Sequence, residues 1–298
     1  MNEPAGATAR LNGWLIIDKP PGRSSAQVVG RIKRLTGGHK VGHGGTLDPL
    51  ATGVLPIAIG EATKTVAYVM LGTKGYRFTL KWGEARDTDD SEGEIVGTSD
   101  IRPSRQDIDR VLPKFIGEIS QMPPKYSALK VNGQRAYALA RANKPVTLEP
   151  RQIRVDSLLL VENDEETACF DVICGKGTYI RALARDIAQC LGTFGHVSAL
   201  RRSAVGPFTE NAAISLDIVE SLVHSARLAA HVLPVEAPLA DIPALELTES
   251  DAHRLRCGQV IAVKGADIET IRATYSGRLV ALARIEMGNL RSLRVFNL

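Results

Sequence analysis

The sequence predicts an α/β (α+β) protein with a large mixed domain followed by a small β-rich one. Short apolar or alternating runs of strand length recur between segments of helical periodicity, from Gly13 to about His231. Pro234, Pro238 and Pro243 then punctuate a stretch that reads as a linker. Beyond it lie short strand patterns such as Leu279 to Ile285. A length of 298 residues with 44% hydrophobic content suits this division and allows a sizeable core. The expected boundaries are a disordered polar tail over 1–12, a main domain over 13–235 and the small domain over 240–298.

In chain order, GWLIID (Gly13 to Asp18) reads as a buried strand, stopped by the Lys19-Pro20-Pro21-Gly22 turn. Ser24 or Ser25 caps a helix whose apolar positions Val28, Val29, Ile32 and Leu35 share one face. Arg31, Lys33 and Arg34 lie off that face. They suit an ordinary solvated surface or phosphate contact, the latter favoured by His39 and Lys40 in the next loop. From Lys40 to Lys64 the chain runs KVGHGGTLDPLATGVLPIAIGEATK. Gly42, Gly44 and Gly45 precede a single acid, Asp48, which Pro49 biases towards extended backbone. Asp-Pro among glycines is ordinarily a surface turn. A chain that bends this often around one carboxylate also suits a carboxylate held in place. His39 and His43 have i,i+4 spacing, but in a glycine-rich loop without a neighbouring acid or Cys they do not predict a metal site.

Glu61 to Leu71 is expected to be one helix with Ala62, Val66, Val69 and Met70 inward. Tyr76 to Trp82 (YRFTLKW) alternates, which puts Tyr76, Phe78, Leu80 and Trp82 on one strand face. GEARDTDDSEGE (Gly83 to Glu94) is acidic without the spacing of a calcium loop. Ser104 is expected to cap a helix through Phe115, with Pro113 in its interior. From Gln121 to Arg141, Tyr126 and Tyr137 alternate with Lys125, Lys130, Arg135 and Arg141. This fits a loop closing over RNA or a mixed charged surface. Strand patterns at Ile153 to Val161 and Thr167 to Cys174 lead into GKGTYIRALARDIAQCLG. There Ile180, Leu183, Ala184, Ile187 and Leu191 form a helical stripe that Gly192 stops. Arg181, in the first turn, is unfavourable beside a helix N-terminus, so a specific anionic partner is expected. Val197 to Phe208 reads as a strand, and the remainder to His231 as helical.

These stretches together resemble the TruB family of tRNA pseudouridine synthases. Its signature G-H-T-G-T-L-D-P-x-A-x-G-v-L is matched by Gly42, His43, Gly45, Thr46, Leu47, Asp48, Pro49, Ala51, Gly53 and Leu55. Gly44 stands where Thr is common. K-G-T-Y-I-R matches Lys176 to Arg181 without a break, and L-R-R-T-x-x-G-x-F begins at Leu200, with Ser203 for Thr. Asp87, Thr88 and Asp90 fit the acidic motif while Arg86 replaces a Thr, and Gln121, Pro123, Pro124 and Tyr126 fit the next. LELTESDAHRLRCGQVI resembles the opening of a PUA domain.

The resemblance implies a mixed, largely antiparallel sheet flanked by helices and loops, an RNA-binding insertion over 122–150 and a PUA-like domain over 240–298. It implies isomerisation of uridine to pseudouridine in the T loop of tRNA, at position 55 in tRNA numbering, with Asp48 essential. The target nucleotide would be bound by His43, Tyr76, Tyr179, Arg181 and Leu200. Of these, His43 lies beside the vacated base stack, Tyr76 stacks on the uracil and Arg181 pairs with Asp48. Arg31, Lys33, Arg34, Lys40, Lys64, Lys130 and Arg141 are expected to contact RNA.

The chemistry needs few parts. The nucleotide is flipped into a pocket, a carboxylate acts while the glycosidic bond breaks, and C5 replaces N1 on C1′. Whether Asp48 attacks as nucleophile or acts as base stays open. Burial favours the neutral acid, so a cation such as Arg181 is expected beside it. No cofactor and no metal are expected; the sequence has no Rossmann fingerprint or P-loop. A net charge of +4 permits a polyanionic partner without demanding one. Four cysteines without CxxC spacing read as reduced core residues. No apolar run is long enough to span a bilayer, and a cytoplasmic monomer is expected. The alternative is an RNA-binding or tRNA-folding protein without catalysis, against which the Asp48, Tyr76 and Arg181 set argues. A nucleoside glycosidase is a third reading, but such enzymes usually pair two carboxylates.

Overall fold

The computed structural model describes residues 11–298 apart from 128, 132, 143, 144, 146, 224 and 225, with the backbone alone for 130, 135, 138, 140, 141 and 226. Residues 1–10 of the expected tail therefore lie outside the described set. Leu11 already packs on the core, and the Asn12 side chain accepts a hydrogen bond from the Glu61 amide.

The Gly13–Lys19 strand is buried on both faces, and its side chains alternate between two cores. Leu15 and Ile17 join the main core, whereas Trp14 and Ile16 face a second one. The sheet has ten strands. Its main path runs Val232–Leu233, Gly13–Lys19, Thr52–Ile59, Gly195–Val205, Lys74–Trp82, Thr167–Cys174, Arg151–Asn163 and Gly117–Gln121. Every pairing in it is antiparallel except that of Thr52–Ile59 with Gly195–Val205, near the middle. At that parallel pair Gly53 lies beside Arg202, and Arg202 lies beside Tyr76 on the next strand. One row across the sheet thus joins residues far apart in sequence. Phe78 and Phe170 stack at 5.1 Å beneath it.

Helices Ser25–Leu35 and Arg105–Val111 form where expected, each started by a capping box, at Ser24 with Gln27 and at Ser104 with Asp107. Pro113 falls in a 3-10 turn, Leu112–Phe115, rather than in the helix. The single helix expected over Glu61 to Leu71 is instead a 3-10 turn, Gly60–Lys64, and a short helix, Val66–Leu71. Thr65 breaks it, its hydroxyl bonded back to the Ala62 carbonyl. The break shifts the phase of the stripe: Ala62 and Val69 are buried, but Met70 is 49% exposed. The cysteines also differ from expectation. All four are free, but only Cys174 is buried, while Cys190 and Cys257 are exposed.

The small domain is a five-stranded sheet, ordered Ala244–Glu246, Ile268–Tyr275, Arg278–Glu286, Asn289–Val295 and Ile261–Ala262, with the helix Glu249–Arg256 against it. The proline-rich stretch before it is packed: Val235 and Leu239 are buried. They share the second core with Trp14, Val54 and Phe208 on one side and Leu279, Leu282 and Phe296 on the other. Among the described residues no helix is long and apolar enough to cross a membrane.

Candidate active site

The loop carrying Asp48 lies between the short Val41–His43 strand and the Thr52–Ile59 strand, and its backbone is tied down on several sides. The Gly44 amide donates to the Pro56 carbonyl at 2.8 Å, and the Gly22 amide to the Pro49 carbonyl at 2.9 Å. Ser25 Oγ accepts from the Leu47 amide and donates to the Leu47 carbonyl. Lys19, fully buried, donates to the carbonyls of Pro20, Arg23 and Pro49. Burial pulls the Lys19 ammonium down to about 8, against the opposing effect of Asp48 and Glu92. Gly44 has a local reason: a Cβ there would lie 2.6 Å from Val69 Cγ1, so the turn packs against the short helix only as glycine.

Asp48 itself is 38% exposed and meets Arg181, which is 7% exposed, with Nε 2.9 Å from Oδ2. The contact is close but poorly aligned, and the Nε–H has no well-directed acceptor. The other guanidinium nitrogens hold two further segments. Nη1 donates to the Thr88 carbonyl at 2.7 Å and lies 3.4 Å from the buried Asp90; Nη2 donates to the Tyr126 carbonyl at 2.9 Å. The acidic segment is therefore a built part of the site. Thr88 donates to Asp90 at 2.6 Å, and Tyr126 donates to Asp87 at 3.1 Å. Arg185 pairs with Asp89 at 2.9 Å and donates to the Met122 carbonyl. Burial raises Asp89 to about 6 despite Arg185. Glu92 is raised too, by burial first and then by Asp90 and Asp48.

A cavity of about 480 Å³ opens over Asp48, with His43, Leu47, Asp90, Tyr126 and Arg181 among its walls. His43 is lowered by burial and then by the Arg202 charge, and its Nδ1 accepts from the Gly45 amide at 3.3 Å. Tyr76 lines an adjoining cavity of about 670 Å³ together with Lys74, Lys176 and Arg202, and Thr46 borders both. Burial raises the Tyr76 phenol, while Arg202 opposes that rise. Tyr179 stands before the Ile180–Cys190 helix with its backbone bonded both ways to the Gln121 side chain. Its phenol is raised, first by burial, and is close enough to feel Asp48 and Arg181. Leu200 is 7% exposed, on the same strand as Arg202.

The expected RNA contacts divide. Lys33, Arg34 and Lys40 are exposed and have no ion pair among the described residues. Arg31 is paired with Glu220 at 2.7 Å. Lys64 is held by Glu61 at 2.7 Å and by the Val295 carbonyl at 2.8 Å, beside the Phe296 ring, and so joins the two domains. The side chains of Lys130 and Arg141 lie outside the described set. Arg202, Lys19 and Arg185 were not singled out by the sequence, although Lys19 and Arg202 left a trace. A lysine ending an apolar strand and an arginine within a buried one are both rare unless partnered.

Residues 33–180 match the family described as TruB family pseudouridylate synthase (N terminal domain), and residues 181–240 match the tRNA pseudouridylate synthase B C-terminal domain. The chain is 54% identical to tRNA pseudouridine synthase B of Rhodospirillum rubrum, over 97% of each chain. It is 51% identical to the protein of that name from Bradyrhizobium diazoefficiens, over 97% of this chain and 86% of that one. In fold it is similar to a chain in an H/ACA RNP bound to a substrate RNA containing 2'-deoxyuridine. The TM-score is 0.75 at 24% identity, over 97% of this chain and 86% of the other.

Proposed function

Because the chain belongs to the TruB family of pseudouridylate synthases, we propose that it isomerises uridine to pseudouridine in the T loop of tRNA, at position 55, as a cytoplasmic monomer without cofactor. The observation that carries this reading is the Asp48–Arg181 pair at the wall of a cavity large enough for a flipped nucleotide. A protein that only bound RNA would gain nothing from lodging a carboxylate there, since phosphates repel it.

The flipped uridine stacks against Tyr76, with Leu200 and Tyr179 framing it and His43 beside the gap it leaves. Asp48 faces the sugar and base and assists cleavage of the C1′–N1 bond. The detached uracil turns in the pocket and C5 bonds to C1′. The C5 proton is then lost and N1 gains one, so no atom is added or removed overall. Arg181 supplies a counter-charge to Asp48 and ties it to Thr88, Asp90 and Tyr126. Arg181 therefore links the Tyr126 segment at the cavity wall to the Asp48 carboxylate. Exposed Lys33, Arg34 and Lys40 suit phosphate contact. Purified protein incubated with unmodified tRNA should place a single pseudouridine at position 55, read by chemical mapping. Conversion elsewhere would move the target, and no conversion would remove the activity.

A further inference from the structure

Arg202 is 1% exposed, yet among the described residues it has no carboxylate partner. Burying a guanidinium without a counter-ion is expensive, so its hydrogen bonds must offset the loss of water. Nε donates to the Val54 carbonyl at 2.8 Å, Nη1 to the Thr46 carbonyl at 3.2 Å and Nη2 to the Gly45 carbonyl at 3.0 Å. The guanidinium also lies beside the Tyr76 phenol: the two residues are partners in the strand register and line one cavity. The strand register explains how one residue reaches all of these. Arg202 lies between Gly53 on one neighbour and Tyr76 on the other. Gly53, at φ +94°, is needed because a Cβ there would fall 2.3 Å from the Arg202 carbonyl oxygen.

We propose that Arg202 is a positioning residue for the isomerisation: it fixes the Asp48 turn and the Tyr76 ring to a single strand, and so sets the distance between carboxylate and stacking face. Its three bonds end on the turn or its following strand, and the Tyr76 side chain lies beside it. A planar, rigid fork suits this task because it spreads its donors over three nitrogens, whereas an ammonium gathers them at one point, as Lys19 does for carbonyls that converge on it. Arg181 anchors the Asp48 carboxylate itself, whereas Arg202 anchors the backbone that carries it. The two arginines thus hold the acid from opposite ends. The inference rests on the isomerase reading for its kinetic consequence and on the geometry alone for its structural one.

The test uses full-length protein and tRNA labelled with tritium at uridine C5, whose release follows the reaction. Arg202→Met, Arg202→Lys, Tyr76→Phe and the Met/Phe double variant are compared with the parent under single-turnover conditions at saturating enzyme. A displacement of about 1 Å costs on the order of 100-fold in rate. Both Arg202 variants should lose about that much, with tRNA affinity within about threefold. Because Arg202 acts partly through Tyr76, the double variant should lose less than the product of the single losses. Amide exchange over residues 42–51 should quicken in Arg202→Met while the C-terminal sheet is unaffected. Arg202→Lys at the parent rate would overturn the proposal, and so would losses that multiply. Rate, affinity and melting temperature falling together would reduce Arg202 to a general structural role. Should Arg202→Met fail to fold, Arg202→Lys decides alone. Tritium release by the parent protein bears only on the isomerase reading, while the exchange experiment bears on Arg202 even without turnover.

Discussion

Asp48 shows how little a catalytic residue depends on its own side chain for placement. Its carboxylate has one close cation, but the backbone around it is held through Ser25, Lys19, Pro56 and Arg202. Asp48→Asn preserves shape and removes charge. Isomerisation should then be undetectable while tRNA binding stays within about tenfold, or ~1.4 kcal/mol; turnover near the parent rate would exclude Asp48 as the reacting group. Arg181→Lys keeps the charge but cannot reach Asp48, Thr88 and Tyr126 together. Its single-turnover rate should fall far more than its affinity, and equal losses would make Arg181 an RNA contact only.

Asp89 offers a pH test at the same scale. Burial raises its carboxyl from 3.8 to about 6, opposed by Arg185. A raised acid is protonated in the folded state over a range where the unfolded chain has already lost its proton. Its contribution to stability is therefore fully present below pH ~4 and is lost as pH rises to about 6, by roughly 3 kcal/mol at most. Asp89→Asn mimics the neutral form and tolerates the left-handed backbone at this position, φ +61°. The stability of the parent minus that of the variant, from melts at stepped pH, should decline between pH 4 and 6 and then level off. A difference that grows with pH would mean that the Arg185 pair outweighs burial.

Among the elements, two glycines with opposite surroundings separate strain from flexibility. Gly30 lies inside the Ser25–Leu35 helix with ordinary backbone, and a Cβ added there would meet nothing within 4 Å. Gly30→Ala should stabilise the protein by about 0.5–1 kcal/mol in denaturant titration. Gly53 has φ +94°, and a Cβ there would strike the Arg202 backbone at the parallel pair in mid-sheet. Gly53→Ala should lower the melting temperature steeply or prevent folding. A Gly53→Ala protein as stable as its parent would show that the two strands can separate at that row without cost.

Across the whole molecule, the two domains share a core, which alters what truncation can reveal. Cutting after Leu239 would remove Leu279, Leu282 and Phe296 from contact with Trp14, Val54 and Val69. Val69 in turn packs on Gly44, next to the catalytic turn. The Glu61 and Lys64 side chains would also lose Asn297 and Val295. Phe296→Ala is the cleaner probe and should cost about 3–5 kcal/mol. The two domains should still unfold in one transition by fluorescence and circular dichroism. Two separated transitions in the parent protein would show instead that the shared core is too weak to couple them.

The sequence by itself determined the alternation of strands and helices, a capped start at Ser24 or Ser25 and another at Ser104, and the glycine-rich turn that carries Asp48. Those features are local: a cap, a turn or a period of two or 3.6 is written within a few residues. Through motif resemblance it also brought Arg181 to Asp48 across the chain. Tertiary structure alone decided that Arg202 stands between Gly53 and Tyr76, that Arg185 meets Asp89, and that Lys64 joins the domains instead of lying free. Periodicity says which face a residue occupies but not which strand lies next to it, and neighbours are set by long-range pairing. Met70 missed its expected burial for a related reason, since a 3-10 turn followed by a short helix does not keep one 3.6-residue stripe in phase.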